Sequence, residues 1–300
     1  MTGEIDPGSP RAYDRKGHLI ERIGIPVTVA TFTAAQALRV LPRVKLSRAV
    51  GRLCGLSLSP RVSRLAERVY VRAYRVNMAE AEPYDGPYPC FDAFFTRALR
   101  RGTRPIEEGP VVSPADGAVH AIGPIDEQSR ILVKGRPYAV AELVGEPRDA
   151  KRYAGGSFAV VYLSPRDYHR VHSPVDGSIS VVRGMPGDLY PVNAIGERHV
   201  PRLLVRNNRV AICIDTQQLG RATVVMVGAV VVGRISVNVL PNVHDPEGVY
   251  PMNPSVYVRR GDEIGTFHLG STAVLLLEPG AEIAHPLGPV RYGQSLAKGP

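Results

Sequence analysis

Only three cysteines occur in the 300 residues, Cys54, Cys90 and Cys213. Their number is odd, they lie far apart, and none forms a C-x-x-C pair. That excludes a disulfide framework and a zinc knuckle and fits a reducing compartment. Long apolar runs are also missing. Ile23 to Leu38 is an uncharged stretch of 16 residues, but Pro26, three threonines and Gln36 interrupt it, and it is short for a membrane span. Ala222 to Gly233 is uncharged over 12 residues. Its valines and internal Gly228 point to buried strands. The opening segment, MTGEIDPGSPRAYDRKG, has no apolar h-region and carries early acidic residues. Neither a secretory signal nor a mitochondrial transit peptide is expected from it.

What is present is turn chemistry and unevenly placed charge. The chain has 30 glycines and 27 prolines within an ordinary globular composition of 44% hydrophobic and 22% charged residues. This favours a turn-rich, β-heavy core. The net charge is +9, and the segment from Arg39 to Val76 holds ten basic residues and one acidic residue, Glu67. One segment therefore carries the whole basic excess and is built to meet a polyanion.

Residues 1–22 read as disordered, and two amphipathic helices are expected after Leu38. The second starts at Ser59-Pro60, an N-cap followed by a first-turn proline. Arg61, Arg64, Arg68, Arg72 and Arg75 then form a basic stripe, with Val62, Leu65, Ala66, Val69 and Ala73 on the opposite face. Such a helix either packs on its own domain or lies on an anionic membrane. No nucleic-acid fold motif accompanies it, so a nucleic-acid partner is not expected.

From about Pro87 the pattern changes to short β-branched runs. FAVVYL (158–163), SISVV (178–182), RLLV (202–205) and VAICI (210–214) read as strands, and Asn207-Asn208 signals a hairpin between the last two. An internal echo, SPADGAV (113–119) and SPVDGSI (173–179), places Asp-Gly before a strand twice, in what reads as a hairpin turn. The expected fold is α+β, mainly β. It is a pseudo-duplicated β-sandwich or flattened barrel over residues 86–300, preceded by amphipathic helices within residues 1–85.

Three places could carry chemistry. They are Asp116 in SPADGAV, the pair His169 and His172 in YLSPRDYHRVHSPVDG (162–177), and Ser271 in HLGSTA. Singly, each has an ordinary reading: Asp116 as a turn residue, Gly-Ser-Thr as a common triplet. The His-x-x-His pair lacks a third ligand at metal-binding spacing, so no metal is expected. Together they are a hydroxyl, an imidazole base and a carboxylate, the parts of an activated nucleophile. No G-x-S-x-G elbow surrounds Ser271, which argues against an ordinary serine hydrolase. Gly270 has no side chain to shield its carbonyl, so the hydroxyl's target can be the chain itself.

With these pieces the sequence resembles the phosphatidylserine decarboxylase proenzymes. The resemblance rests on FDAFFTRALRRGTRPI (91–106), SPADGAV, VKGRPY (133–138), YLSPRDYHRVHSPVDG, GDLYPVN (187–193), VRNNRVAICIDT (205–216), VMVGAVVVGRI (225–235) and GDEIGTFHLGST (261–272). It implies self-cleavage between Gly270 and Ser271, giving a large chain 1–270 and a small chain 271–300. Ser271 would become a covalent pyruvoyl cofactor that forms a Schiff base with the substrate. It further implies His172 as the base in maturation with Asp116 orienting it, and His169 as the proton donor in turnover; His268 receives no role. The implied reaction converts phosphatidylserine to phosphatidylethanolamine. Residues 1–85 match none of these motifs; from the basic helices the expected setting is peripheral, on the cytoplasmic side of the cell membrane, with anionic phospholipid as partner and a homo-oligomer left open. Two rivals remain at this stage. One is a relative acting on a soluble aromatic amino acid, which would not need the basic helices. The other is a non-catalytic β-sandwich binding module, which would stay a single chain.

Overall fold

The computed structural model of the chain describes residues 43–192, 198–229, 234–269 and 271–297. The expected disordered start and the Ile23–Leu38 stretch lie outside the described residues, as does Gly270. The described residues belong to one compact unit.

Two helices come first, α1 (Arg43–Cys54) and α2 (Pro60–Tyr74). Ser59 is the N-cap of α2 and Pro60 its first residue, as the sequence indicates, but the Ser59 side chain makes no capping bond. The face that α2 turns inward combines hydrogen bonds with the aromatic ring of Tyr70. The buried Ser63 hydroxyl donates to the Tyr88 carbonyl at 2.6 Å, the Glu67 carboxylate accepts the Tyr88 N–H at 2.9 Å, and the Tyr70 hydroxyl donates to the Pro165 carbonyl. Val62, Leu65 and Val69 are 51%, 63% and 60% exposed, beside the arginine stripe. The apolar face of α2 is therefore not its packing face.

The β structure is an eight-stranded antiparallel sheet facing a three-stranded one. The large sheet runs β10 (Gly248–Val258), β6 (Gly177–Met185), β7 (Arg209–Asp215), β8 (Arg221–Val227), β12 (Ser271–Leu277), β4 (Ser157–Leu163), β1 (Gly117–Pro124) and β13 (Gly288–Val290). The small sheet runs β5 (Arg170–His172), β11 (Glu263–His268) and β9 (Arg234–Val237). The sheets are flattened and do not close into a barrel, as the fold reading expected. β7, β8 and β12 are almost entirely buried because the large sheet is covered on both faces. On one face Ile212, Val224 and Leu275 pack with the small sheet's Val171, Ile235 and Phe267. Ala211, Val225 and Val274 pack on the opposite face with Tyr153 and with Ile131 of the hairpin β2 (Arg130–Val133) and β3 (Arg136–Ala139). The uncharged run beginning at Ala222 is thus a doubly buried strand as far as Val227.

The internal echo is structural. Ser113 donates its hydroxyl to the Ala115 carbonyl, and Ser173 does the same to Val175. The His172 N–H donates to the Pro114 carbonyl at 2.8 Å, while the Val112 N–H donates to the Pro174 carbonyl at 2.9 Å. Each repeat also receives a tight turn: Ser113 exchanges backbone bonds with Gly293 and Gln294, and Ser173 with Gly261 and Asp262. The repeats are therefore interlocked. They do not form the hairpin turns expected of Asp-Gly, since β1 pairs with β4 and β13 and not with the segment before it. A second expectation also fails. RLLV is not a strand, because Leu203–Arg206 forms a single helical turn. Asn207, instead of turning a hairpin, is fully buried, and its amide bonds the Tyr190 N–H, the Tyr190 carbonyl and the Gly228 carbonyl. A buried amide with three backbone partners satisfies those groups and fixes the loop.

Gly117 allows the close approach of β1 and β4 beside Asp116, since a Cβ there would lie 2.1 Å from the Tyr162 carbonyl oxygen. Gly117→Ala should therefore destabilise the protein by about 1–3 kcal/mol, seen as a lower urea midpoint. An unchanged midpoint would show that the two strands can part without loss.

Candidate active site

The first repeat delivers Asp116, buried at the start of β1. Its carboxylate is held by Arg104, with Nη2 at 2.6 Å and Nε at 3.1 Å, and accepts the backbone N–H of Tyr292 at 2.9 Å. Arg104 also binds Glu80 at 2.7 Å, and this bond holds the Glu80 carboxyl below its usual range.

The second repeat delivers His172, on the edge strand β5 of the small sheet. Its Nδ1 lies 2.7 Å from the Gly261 carbonyl, and Nε2 lies 3.2 Å from the Tyr168 hydroxyl. A carbonyl can only accept, so Nδ1 carries the proton and Nε2 is left as the basic atom. The Tyr292 ring stacks on the imidazole at 3.8 Å and 4°. Burial lowers the His172 pKa. The Asp116 carboxylate is not bonded to His172, contrary to the expectation that it sets the tautomer. Gly261 sets it, and Asp116 instead holds the backbone of Tyr292, whose ring covers the imidazole.

His169 is fully buried. Its Nδ1 donates to the Asp167 carbonyl at 2.8 Å, and its Nε2 has no hydrogen-bond partner. The Phe95 ring lies 4.1 Å away, and Tyr70 of α2 packs edge-on against Phe91, Phe94 and Phe95. Desolvation in this aromatic cage pulls the His169 pKa down to about 3. His169 is therefore neutral at pH 7, with a bare nitrogen. It must take up a proton before it can act as the donor that the sequence reading assigned.

Ser271 opens β12, opposite Leu163 of β4. It is 1% exposed and its hydroxyl has no partner. By the two-residue alternation it shares the face of Ala273 and Leu275, which looks toward the small sheet. That sheet carries both histidines. Glu263 of β11 pairs with His172, and Phe267 donates its N–H to the His169 carbonyl, four residues before Ser271. Between them Leu269 has φ +86°, a strained backbone for a side chain of its size. The register thus puts His169 at the end of β11 that leads to Ser271 and His172 at its start, and no hydrogen bond joins the hydroxyl to either ring.

Sequence reasoning did not single out Arg104, Tyr168 or Tyr292, which have no spacing rule tying them to Asp116 or His172. It gave His268 no role. In the structure the His268 Nδ1 lies 2.9 Å from Asp92 and its Nε2 lies 3.0 Å from the Ser236 hydroxyl, with Arg234 on the same carboxylate at 2.8 Å. This network pins the end of β11 next to Leu269. Among the described residues no group of three His, Cys, Asp or Glu is placed to hold a metal.

The comparisons with known proteins fall on this site. A sequence model of the family described as phosphatidylserine decarboxylase matches residues 91–298. The chain belongs to the phosphatidylserine decarboxylase family. Proteins named phosphatidylserine decarboxylase proenzyme are similar over most of their length. The one from Shewanella halifaxensis is 38% identical over 276 residues, covering 86% of this chain and 96% of the relative. Those from Myxococcus xanthus and Acidovorax ebreus are 39% and 40% identical, covering 82% and 86% of this chain and 90% and 94% of theirs. The match takes in both repeats, the two histidines and Ser271.

The buried His169 links stability to pH. Its folded pKa lies below that of the unfolded chain, so acid favours unfolding. The stability it confers is full above about pH 6.5 and is lost as pH falls from there toward 3. The stability of wild type relative to His169→Phe should therefore drop by about 2 kcal/mol between pH 8 and pH 5, measured by urea denaturation. A difference independent of pH would mean that His169 is not held neutral by burial.

Proposed function

We propose that the protein decarboxylates phosphatidylserine to phosphatidylethanolamine, using a pyruvoyl group that it makes from Ser271 by cleaving its own chain after Gly270. Family membership supports the reaction. The observation that carries the mechanism is the buried, unpartnered Ser271 hydroxyl on the sheet face that looks toward the small sheet, where His169 and His172 each have a basic Nε2.

In maturation the Ser271 Oγ attacks the Gly270 carbonyl carbon, and the peptide C–N bond gives way to an ester. His172 Nε2 takes the hydroxyl proton and passes it to the freed amine. Loss of the Ser271 α-proton then breaks the Cβ–O bond. The Gly270 carboxylate leaves and dehydroalanine remains. Water replaces its nitrogen, which departs as ammonia. The products are a 1–270 chain and a 271–300 chain. Asp116 stabilises the transient imidazolium by its charge and by holding Tyr292 over the ring.

The residues fit the resulting group: residue 271 is buried, and His169, whose Nε2 is unpaired, is bonded through its carbonyl to Phe267, four residues before it. The pyruvoyl carbonyl supplies an electron sink for the amino-acid head group. Neutral His169 suits the proton traffic. Its bare Nε2 can take a proton from the entering ammonium and return it to carbon after CO₂ leaves. The aromatic cage keeps water from competing for that proton.

The substrate lies in a bilayer, and no described helix is long and apolar enough to cross one. We place the contact on residues 1–85, as a peripheral association with the cytoplasmic leaflet, with 86–300 as the catalytic domain. Exposed Val62, Leu65 and Val69 lie beside Arg61, Arg64, Arg68 and Arg72, with Leu53 and Leu56 also exposed nearby. An outward face that is both apolar and cationic suits the interface of an anionic membrane. If half of the ten basic residues reach the surface, at about 1 kcal/mol each, the attraction is roughly 5 kcal/mol.

Wild-type protein should run as two fragments on a denaturing gel, the smaller blocked at residue 271, and Ser271→Ala should stay one inactive chain. A Ser271→Ala protein that cleaves and decarboxylates would sink the mechanism. His172→Ala should block cleavage, whereas His169→Ala should cleave and turn over poorly; reversed phenotypes would exchange the two roles. Replacing Arg64, Arg68 and Arg72 with Gln should weaken sedimentation with anionic vesicles and leave cleavage intact. Binding of wild type should fall, without vanishing, as salt shortens the Debye length from about 10 Å at 0.1 M to 3 Å at 1 M. Equal binding to neutral and anionic vesicles would remove α2 from the membrane contact.

A further inference from the structure

Beside Asp116 and Tyr168 lies an open cavity of about 460 Å³ whose charges do not balance. Five arginines and three carboxylates line it. The carboxylates are all answered: Asp116 and Glu80 by Arg104, Glu80 again by Arg291 at 3.6 Å, and Asp167 by Arg166 at 3.8 Å. Two guanidiniums are left without an acid among the described residues. Arg75 is exposed at the rim, where α2 ends. Arg97 is 5% exposed, and its Nε has no partner. Its other nitrogens make long contacts, 3.5 Å to the Phe95 carbonyl and 3.4 Å to the Arg166 carbonyl, and the guanidinium lies over the Phe94 ring at 5.6 Å, but no anion answers it. A buried cation without a counter-ion is strongly disfavoured. An anion arriving from the cavity would complete it.

The other half of the fold supplies a comparison. The hollow next to Asp176 and Gly177, the counterparts of Asp116 and Gly117, is lined by one arginine and two aspartates. Between these two hollows the cationic surplus therefore belongs to the one beside Asp116. The cavity is also close to them. Tyr168 on its wall bonds His172, and Asp167 holds His169. Gly117 on the same wall abuts Tyr162 and Leu163 of β4, the strand paired with Ser271. Two strand spacings, roughly 10 Å, separate this wall from β12.

We propose that this cavity receives the phosphodiester of the lipid head group, with Arg97 as the buried residue that binds it and Arg75 at the entrance. The assignment rests on the decarboxylase reading above. A guanidinium offers parallel N–H donors that match two phosphate oxygens. The carboxylate is the less suitable occupant. Fixing it on a cation would stabilise the reactant relative to the transition state, in which its charge is leaving. The phosphate keeps its charge throughout, so it can anchor the head group without slowing the reaction.

The test uses full-length matured protein and a soluble short-chain phosphatidylserine, with inorganic phosphate and O-methyl-L-serine as probes. Arg97→Gln should raise KM roughly 10- to 100-fold with kcat changed no more than a few-fold, and Arg97→Lys should fall between it and wild type. Inorganic phosphate should compete with the lipid in wild type and raise its Tm, and both effects should be lost in Arg97→Gln. O-methyl-L-serine, which lacks the phosphate, should be turned over poorly by wild type and be indifferent to the substitution. An unchanged KM, or a fall in kcat alone, would overturn the assignment. If Arg97→Gln does not fold, the decision passes to Arg97→Lys and to phosphate on wild type, where absence of both competition and stabilisation would overturn it. Wild type that neither cleaves nor decarboxylates would instead remove the parent reading, and the phosphate-dependent Tm would still report on the cavity.

Discussion

Two backbone hydrogen bonds hold the rest in place: the His172 N–H on the Pro114 carbonyl and the Val112 N–H on the Pro174 carbonyl. They cross between the two Ser-Pro-x-Asp-Gly repeats, so each repeat is held by the residue that precedes the other. Being buried, they would be expensive to leave unmade. They fix the start of β1 against the end of β5, and so place Asp116 and His172 at one junction although the two are far apart in the chain. The turns 259–262 and 291–294 close over the repeats from outside, and each sends one backbone N–H to the repeat's aspartate: Arg260 to Asp176, and Tyr292 to Asp116.

The frame is near-symmetric, and the candidate site arises where the symmetry is broken. Val112 occupies in one half the place that His172 takes in the other. Arg260 stands where Tyr292 stacks on the imidazole. Asp176 is exposed, whereas Asp116 is buried under Arg104. A buried carboxylate needs a cation to remain charged, and Arg104, shared with Glu80, supplies it. The same backbone thus presents an inert turn in one half and a charged, desolvated one in the other.

Desolvation has opposite effects on the two kinds of base around the site. It keeps His169 and His172 neutral, which leaves each with a usable lone pair. It leaves Arg97 charged but short of partners, because a guanidinium does not lose its proton under such conditions. The aromatic cluster that dries His169 is anchored by Tyr70 of α2. The helix proposed for the membrane surface therefore also forms part of the wall around His169.

Much was legible without coordinates. The strands β4, β6 and β7 were visible as short β-branched runs, the start of α2 as Ser-Pro, and the duplication as a repeated heptapeptide. These are local patterns, set by propensity and periodicity. Asp116, His169, His172 and Ser271 stood out because few residue types can carry such chemistry. What the chain could not show was which groups face each other. RLLV reads as a strand by composition, but it forms a helical turn closed by backbone bonds from Val205 and Arg206 to the Arg202 carbonyl. The apolar residues of α2 left packing and membrane contact both open; Ser63, Glu67 and Tyr70, on another face, dock the helix through hydrogen bonds to distant carbonyl and amide groups. Asp116 was expected on His172 and is found on Arg104 and Tyr292. Sequence determined the elements and the reactive residue types, because those depend on neighbours a few positions away. Tertiary structure decided partners, tautomers and burial, because these depend on residues far apart in the chain. Tyr292 and Asp116 are separated by 176 positions, and only the closed fold brings them together.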